Sequence, residues 1–385
     1  MAVLAVGCQK TEIQNEIQTP IGFSTEVGKQ TRAIVDGTNY GTTQPFAVYA
    51  YGHQGDATAT VVMNNVEISY TAASGEGTSV VPAKWSATGT TKYYWPNDPN
   101  TYINFYAYSP AAMTSNGNNA PGDHKILHFL DGTGNGVSHS ETAGLTLTKY
   151  SHSNMYVDFM VAKPVLRAKY ATTDPDNLTT NTEVAGTVPV VFEHKMSQIL
   201  FKVTTAEDYP GVKFTVKSIT LNDIKNTADY TSYTNTWTTG ETIDDYPIFP
   251  AETSEGASSV NPLDNGVEKV IELTYANNVR GEMLTTGVTM IPQTMQSDVQ
   301  AFTIVYDVDG TGVAKETVTK KVFLYKDGAT LNSWGVNQKI TYTVKIGLNE
   351  IQFMPSVAAW DDIDEKGTPD AGDDEPWGDE FTFAQ

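Results

Sequence analysis

One cysteine, three arginines and no long apolar run set the first limits on this 385-residue chain. A single thiol, Cys8, closes no internal disulfide, and no Cys–His grouping has the spacing of a structural zinc site. Basic charge is scarce as well: 24 Lys and Arg stand against 45 Asp and Glu, a formal net charge of −21. Phosphate contacts draw on clustered Lys and Arg, so this balance argues against a nucleic-acid partner. It argues equally against binding of the bare protein surface to anionic lipid. No stretch reaches the roughly 20 apolar residues of a bilayer-crossing helix. Charged residues make up 18% and hydrophobic residues 39%, which leaves enough apolar material for real cores. At roughly 150 residues per domain the length suggests two or three domains.

The residues of enzymatic chemistry are also missing. Of the six histidines only His124 and His128 share an i, i+4 spacing, and neither H-E-x-x-H nor a third ligand accompanies them. No G-x-S-x-G, P-loop or dinucleotide-binding glycine pattern sits between a strand and a helix. The stretch Asp307-Val-Asp-Gly-Thr-Gly312 has half of a calcium loop and lacks the later acidic ligands, which fits a turn between strands. The acidic pairs Asp361/Asp362 and Asp373/Asp374 fall in a polar tail where nothing would hold them at a working distance. No catalytic residue, metal site or cofactor is expected. Two aromatic clusters, Tyr93-Tyr94-Trp95 and Tyr230/Tyr233/Trp237, read as core filling or as platforms for sugar rings.

What is present is β pattern. Phe46–Tyr51, Val61–Met63, Val66–Tyr70, Tyr102–Tyr108 and Met155–Val161 are rich in aromatic and β-branched residues, with Gly, Asn, Asp and Ser clusters between them. A polar stretch, Thr172–Gly186, reads as a linker. A second run of strands follows, from Val188–Glu193 through Ile199–Thr204, Phe214–Leu221, Phe302–Val308 and Ile340–Ile346. Twenty Tyr, 31 Gly and an absence of sustained helical periodicity predict an all-β chain of two tandem β-sandwich domains.

The two ends carry the rest of the signal. Met1–Gly7 is apolar and closes on small residues before Cys8, the pattern of a secretory signal ending in a lipobox, whose cysteine thiol accepts an acyl chain. The usual charged n-region is missing, so the start is expected upstream. Gln9–Gln18 is polar and reads as a tether. Ile21, Phe23, Thr25 and Val27 then alternate with smaller or polar residues, predicting one short strand. Thr31-Arg32-Ala33 follows in a polar link, where an arginine is open either to a trypsin-like protease or to an ordinary surface role. At the other end, Ile351-Gln-Phe-Met-Pro-Ser-Val357 alternates and leads to Trp360. Beyond it, residues 361–385 hold ten Asp and Glu against one Lys and finish in Phe381-Thr-Phe383.

Taken in order, the lipobox at Cys8, Thr31-Arg32-Ala33, Tyr94-Trp95-Pro96, Phe105-Tyr-Ala-Tyr-Ser-Pro110, Phe192-Glu-His-Lys-Met-Ser197, Ile291-Pro-Gln293 and the closing Trp334, Tyr342, Ile351, Phe353, Val357 and Trp360 resemble the fimbrillins, pilus subunits of Bacteroidota. The resemblance implies sandwich domains of transthyretin-like topology. It divides the chain into a signal (1–8), a tether and first strand removed on maturation (9–32), an N-terminal domain (33–185), a C-terminal domain (186–360) and an acidic tail (361–385). It implies lipid attachment at Cys8, an outer-membrane precursor, and cleavage between Arg32 and Ala33 by an arginine-specific protease. Removal of the Ile21/Phe23/Val27 strand then leaves a groove for a strand of the next subunit. Such head-to-tail junctions make an open filament, a surface fimbria serving adhesion and biofilm formation. Ile351, Phe353, Val357 and Trp360 are the candidate donor strand, or else the last strand of the second domain, and the alternating Phe381-Thr-Phe383 at the end of the tail is the other segment that could add to a groove. The acidic tail departs from the simplest fimbrillin ending, which leaves room for a tip, accessory or anchor subunit. In that alternative the lipoprotein stays tethered and binds glycans, host ligands or bacterial surface ligands without polymerising.

Overall fold

The computed structural model describes residues 19–27, 40–42, 44–55, 57–75, 81–98, 100–111, 127–130, 136–170, 183–184, 187–249, 271–276, 279–280, 282–285, 287–327, 331–348, 351–359 and 381–383. Among the described residues the chain is all-β and has no α-helix. With strands numbered in chain order, the first sheet runs β10 (Glu183–Val184), β9 (Val165–Tyr170), β5 (Thr101–Ser109), β2 (Phe46–Gln54), β3 (Thr60–Thr71), β4 (Lys84–Ala87), β1 (Gly22–Val27), β11 (Thr187–His194) and β8 (Met160–Ala162). Strand β8 also pairs with β5, through Tyr108↔Val161 and Ser109↔Met160, so seven of these strands close into a barrel. Closure satisfies backbone groups that an open sheet would leave at its edges. Phe46, Val48, Ile68, Ile103, Phe105, Val188 and Phe192 fill the interior.

A second core lies between two six-stranded sheets. One runs β19 (Glu282–Leu284), β12 (Ser197–Thr205), β23 (Gln338–Ile346), β24 (Ile351–Ala359) and β25 (Phe381–Phe383), with β20 (Val288–Met290) also on β12. The other runs β18 (Val279–Arg280), β17 (Ile271–Ala276), β13 (Val212–Lys225), β21 (Ala301–Gly310) and β22 (Val313–Phe323), with β16 (Ile243–Phe249) also on β13. Phe201 joins them, edge-on to Phe302 at 5.1 Å and stacked on Tyr342 at 5.4 Å. The Asp307–Gly312 stretch ends β21 and turns into β22, as its composition predicts.

A four-stranded sheet, β15 (Thr236–Thr239), β14 (Thr227–Thr231), β7 (Gly144–Ser151) and β6 (Val137–Ser140), ties the two units. It takes one hairpin from between barrel strands β5 and β8 and one from the second unit. Beneath it Tyr49, Tyr108, Tyr150, Phe159, Met196, Tyr230 and Ile291 form a third apolar cluster.

The sequence predicts a sandwich around the first core; the sheet there is instead a closed barrel, because the short β8 reaches both β11 and β5. The chain also leaves the barrel between His194 and Ser197, one strand later than a boundary at 186. Val188, Val190 and Phe192 of β11 are buried inside the barrel and hold that strand there. Met155–Val161 is not one strand. The Asn154 side chain accepts from the Tyr156 amide at 2.8 Å and its carbonyl from Val157 at 3.1 Å, a local turn that delays extended structure to Met160.

Candidate functional site

Among the described residues, strand β1 is the element that enters the barrel from upstream of Arg32. Along one side it pairs in parallel with β11, in register from Gly22↔Thr187 to Val27↔Phe192. On the other side it meets β4 at a single pair, Phe23↔Trp85. Beyond that pair the wall is the Tyr93–Trp95 segment: Ile21 N–H donates to the Tyr93 carbonyl and Trp95 N–H to the Thr19 carbonyl, both at 2.9 Å. Thus β1 bridges a gap between β11 and β4 that no other strand spans among the described residues.

Its inward face explains why it sits there. Ile21, Phe23 and Thr25 are 6%, 3% and 4% exposed, and Ser24 between them is exposed. The Phe23 ring lies edge-on to Phe46 at 5.9 Å and to Phe105 at 6.0 Å. Burying Ile21 and Phe23 stabilises the seat by about 1.5–3 kcal/mol each. Val27, expected inside on strict alternation, is only half-buried, whereas Thr25 is fully inside. Tyr40, the first described residue after β1, stacks on Phe192 at 4.9 Å, and its hydroxyl shares a 2.7 Å hydrogen bond with Ser109. The Tyr93–Trp95 wall and Tyr40 were not predicted as parts of the seat, because aromatic composition alone does not say which strand a ring faces.

The C-terminal candidates occupy a different place. Ile351 and Phe353 are 2% and 3% exposed in the second core, Phe353 edge-on to Phe302 at 5.6 Å, and Val357 packs against the same core. Strand β24 pairs along its whole length with β23, from Gln338↔Ala359 to Ile346↔Ile351. On its outer edge Ile351–Phe353 also pair with Phe381–Phe383 of the tail. The structure therefore brings Ile21, Phe23 and Val27 together in one seat and Ile351, Phe353 and Val357 in another. Cys8, Arg32, Ala33, Trp360 and His124 lie outside the described residues.

The described histidines have structural partners. His194 Nδ1 lies 2.7 Å from Asp158 Oδ2, His53 Nε2 2.9 Å from Glu141 Oε2, and His152 is fully enclosed. Burial pushes the His139 imidazole down to about 4, keeping it neutral. Among the described residues no group of three or more His, Cys, Asp or Glu is placed to hold a metal ion.

Fold and seat together define an all-β protein of two cores whose N-terminal strand completes a closed barrel. The fimbrillin-like pattern matches residues 31–360, and the chain belongs to the fimbrillin-like family. A fimbrial protein from Bacteroides vulgatus has a similar structure, with 18% identity and a TM-score of 0.55 over 89% of this chain and 99% of that one. The tip fimbrial protein Mfa3 from Porphyromonas gingivalis, in a C-terminally truncated form, aligns with 11% identity and a TM-score of 0.27 over 82% of this chain and 95% of that one. No curated protein matches the chain in sequence.

Proposed function

We propose that this chain is a structural subunit of a cell-surface fimbria, made as a lipidated precursor and polymerised by strand exchange. Lipid at Cys8 holds the precursor in the outer membrane. A trypsin-like, arginine-specific protease cuts between Arg32 and Ala33, β1 leaves with the excised segment, and a strand of the neighbouring subunit enters the vacated seat. Two tandem domains of transthyretin-like topology belong to the same reading. The observation that carries it is the seat of β1: one short strand, contributed from upstream of Arg32, fills an apolar slot in an otherwise continuous barrel.

The other two arginines support the choice of bond. Arg167 lies in β9 with its guanidinium 4.3 Å over the Tyr102 ring, and Arg280 lies in β18, paired with Tyr275 of β17. Proteases take extended, unpaired chain, so strands are poor substrates. For the donor, the extent of strand pairing favours the tail over β24. Withdrawing β24 would strip Ile351 and Phe353 from the second core, whereas Phe381–Phe383 holds by three paired residues. That home pairing also favours a second reading, in which the tail stays on its own β24 and the chain is an anchored tip or accessory subunit binding surface ligands.

The test is brief treatment of the purified full chain with a trypsin-like protease, followed by N-terminal sequencing and native gels. A new terminus at Ala33 with a ladder of oligomers is the expected result. A chain that resists cutting at Arg32, or is cut there and stays monomeric, moves the assignment to the second reading.

A further inference from the structure

Between the barrel and the overhanging hairpins of the four-stranded sheet lies a cleft of about 420 Å³. Its floor comes from β5, β8 and the end of β11; its lips are the β6–β7 turn and the β14–β15 turn. The volume falls in the range of small-molecule sites. We propose that this cleft binds a neutral saccharide.

Charge is the first argument. Two carboxylates, Glu141 and Glu193, and two ammonium groups, Lys163 and Lys195, line the cleft, and they are already matched. Lys195 and Lys163 reach Glu193 at 2.9 and 3.4 Å. Glu141 accepts from Asn104 Nδ2 at 2.6 Å and from the Tyr106 hydroxyl at 3.3 Å, beside His53. Burial opposes both carboxylate charges, yet these hydrogen bonds and lysines hold both groups below the usual carboxylate range. An anionic ligand would meet two carboxylates on a protein of net charge −21, and a cationic one would meet the lysines. A neutral polyol suits the cleft better, since each hydroxyl both donates and accepts and so uses fixed donors and acceptors side by side.

Aromatic surface is the second argument. Tyr233 stands at the lip 77% exposed, the most exposed large hydrophobic side chain among the described residues, and the half-buried Tyr106 forms part of the wall. The apolar C–H face of a sugar ring covers a tyrosine ring while its rim keeps its hydroxyls on polar groups. The third argument is rigidity. Ser232 N–H donates to the Leu145 carbonyl and Leu145 N–H to Ser232 Oγ, both at 2.8 Å, and the Tyr230 hydroxyl donates to Asn235 Oδ1 at 3.0 Å. The lips are therefore tied to each other before a ligand arrives, which lowers the ordering cost of binding.

This proposal does not rest on polymerisation, and its test uses the uncut full chain. Saturation-transfer NMR and calorimetry would be run with the methyl glycosides of glucose, galactose, mannose and N-acetylglucosamine, with free sialic acid and glucosamine as charged comparators. The expected result is binding of at least one neutral glycoside tighter than about 10 mM, weakened about tenfold by Tyr233→Ala. An unchanged thermal midpoint for that variant shows that the exposed ring is not part of the fold. Absence of binding by all four glycosides overturns the proposal. So does binding that Tyr233→Ala leaves intact, or a preference for either charged comparator.

Discussion

At the scale of single residues, His152 makes a measurable commitment. It is 1% exposed, its Nε2–H donates to the Thr289 carbonyl at 2.6 Å, and its Nδ1 accepts from the Tyr150 hydroxyl at 2.9 Å. The Tyr246 hydroxyl donates to its backbone carbonyl at 2.6 Å. Both ring nitrogens are thus occupied in the neutral form, and a proton on Nδ1 would force Tyr150 to turn. Burial pushes the imidazole down to about 4 from an ordinary 6.5. A folded-state value below the unfolded one means that the unfolded chain binds the extra proton first. The contribution of His152 is therefore complete above pH 6.5 and is lost as pH falls from 6.5 towards 4, by about 1.4 kcal/mol per pH unit. His152→Gln keeps one donor and one acceptor but does not titrate. In urea denaturation its stability deficit relative to the wild type should shrink by roughly 3 kcal/mol between pH 7 and pH 4. A deficit independent of pH would mean that His152 does not titrate in this way. None of this was legible in the sequence, where His152 is one of six histidines with no motif around it.

Elements were legible where aromatic and β-branched residues concentrate. Phe46–Tyr51, Tyr102–Tyr108 and Phe302–Val308 all fall inside observed strands. Phe46–Ala50 is buried on both faces, Phe46 and Val48 inside the barrel and Ala47 and Tyr49 beneath the tying sheet, so it reads as a continuous apolar run. The four strands of the tying sheet were missed. Thr227–Thr231 and Thr236–Thr239 are rich in threonine, which serves a strand or a turn equally well, and their apolar content is thin. The parallel pairing of β1 with β11 was also hidden, since partners so far apart in the chain leave no local signal. The inward positions Ile21 and Phe23 were legible, and they carry the prediction for this element. Phe23→Ala removes a ring packed against Phe46 and Phe105 and should cost about 3–5 kcal/mol of unfolding free energy. Hydrogen exchange at residues 22–27 should quicken more than exchange in the second core, because β1 has one full-length partner and one single-pair contact. Equal acceleration throughout the chain would show that β1 has no separate stability.

For the whole molecule, the fimbrial reading turns on two events at opposite ends of the chain. Arg32→Ala should block the first: the protein stays folded and monomeric with β1 in its seat, and protease treatment yields no ladder on a native gel. Oligomers formed by uncut Arg32→Ala would separate assembly from cleavage and remove the role given to β1. The second event is donation, and here the two C-terminal segments differ in what they leave behind. Loss of β24 would break a ladder running from Gln338↔Ala359 to Ile346↔Ile351 and expose Ile351 and Phe353, at about 1.5–3 kcal/mol for each side chain. Release of Phe381–Phe383 gives up three paired residues and leaves β24 in its full ladder with β23. A chain ended after Trp360 should therefore fold, be cut after Arg32, and remain monomeric for want of a donor. Adding an excess of cut full-length chain should then incorporate the truncated one only as a terminal unit, since its seat is intact and its tail is gone. If the truncated chain polymerises by itself, the tail is not the donor, and the strand that alternates from Ile351 to Val357 must leave its own core to fill the neighbour's barrel.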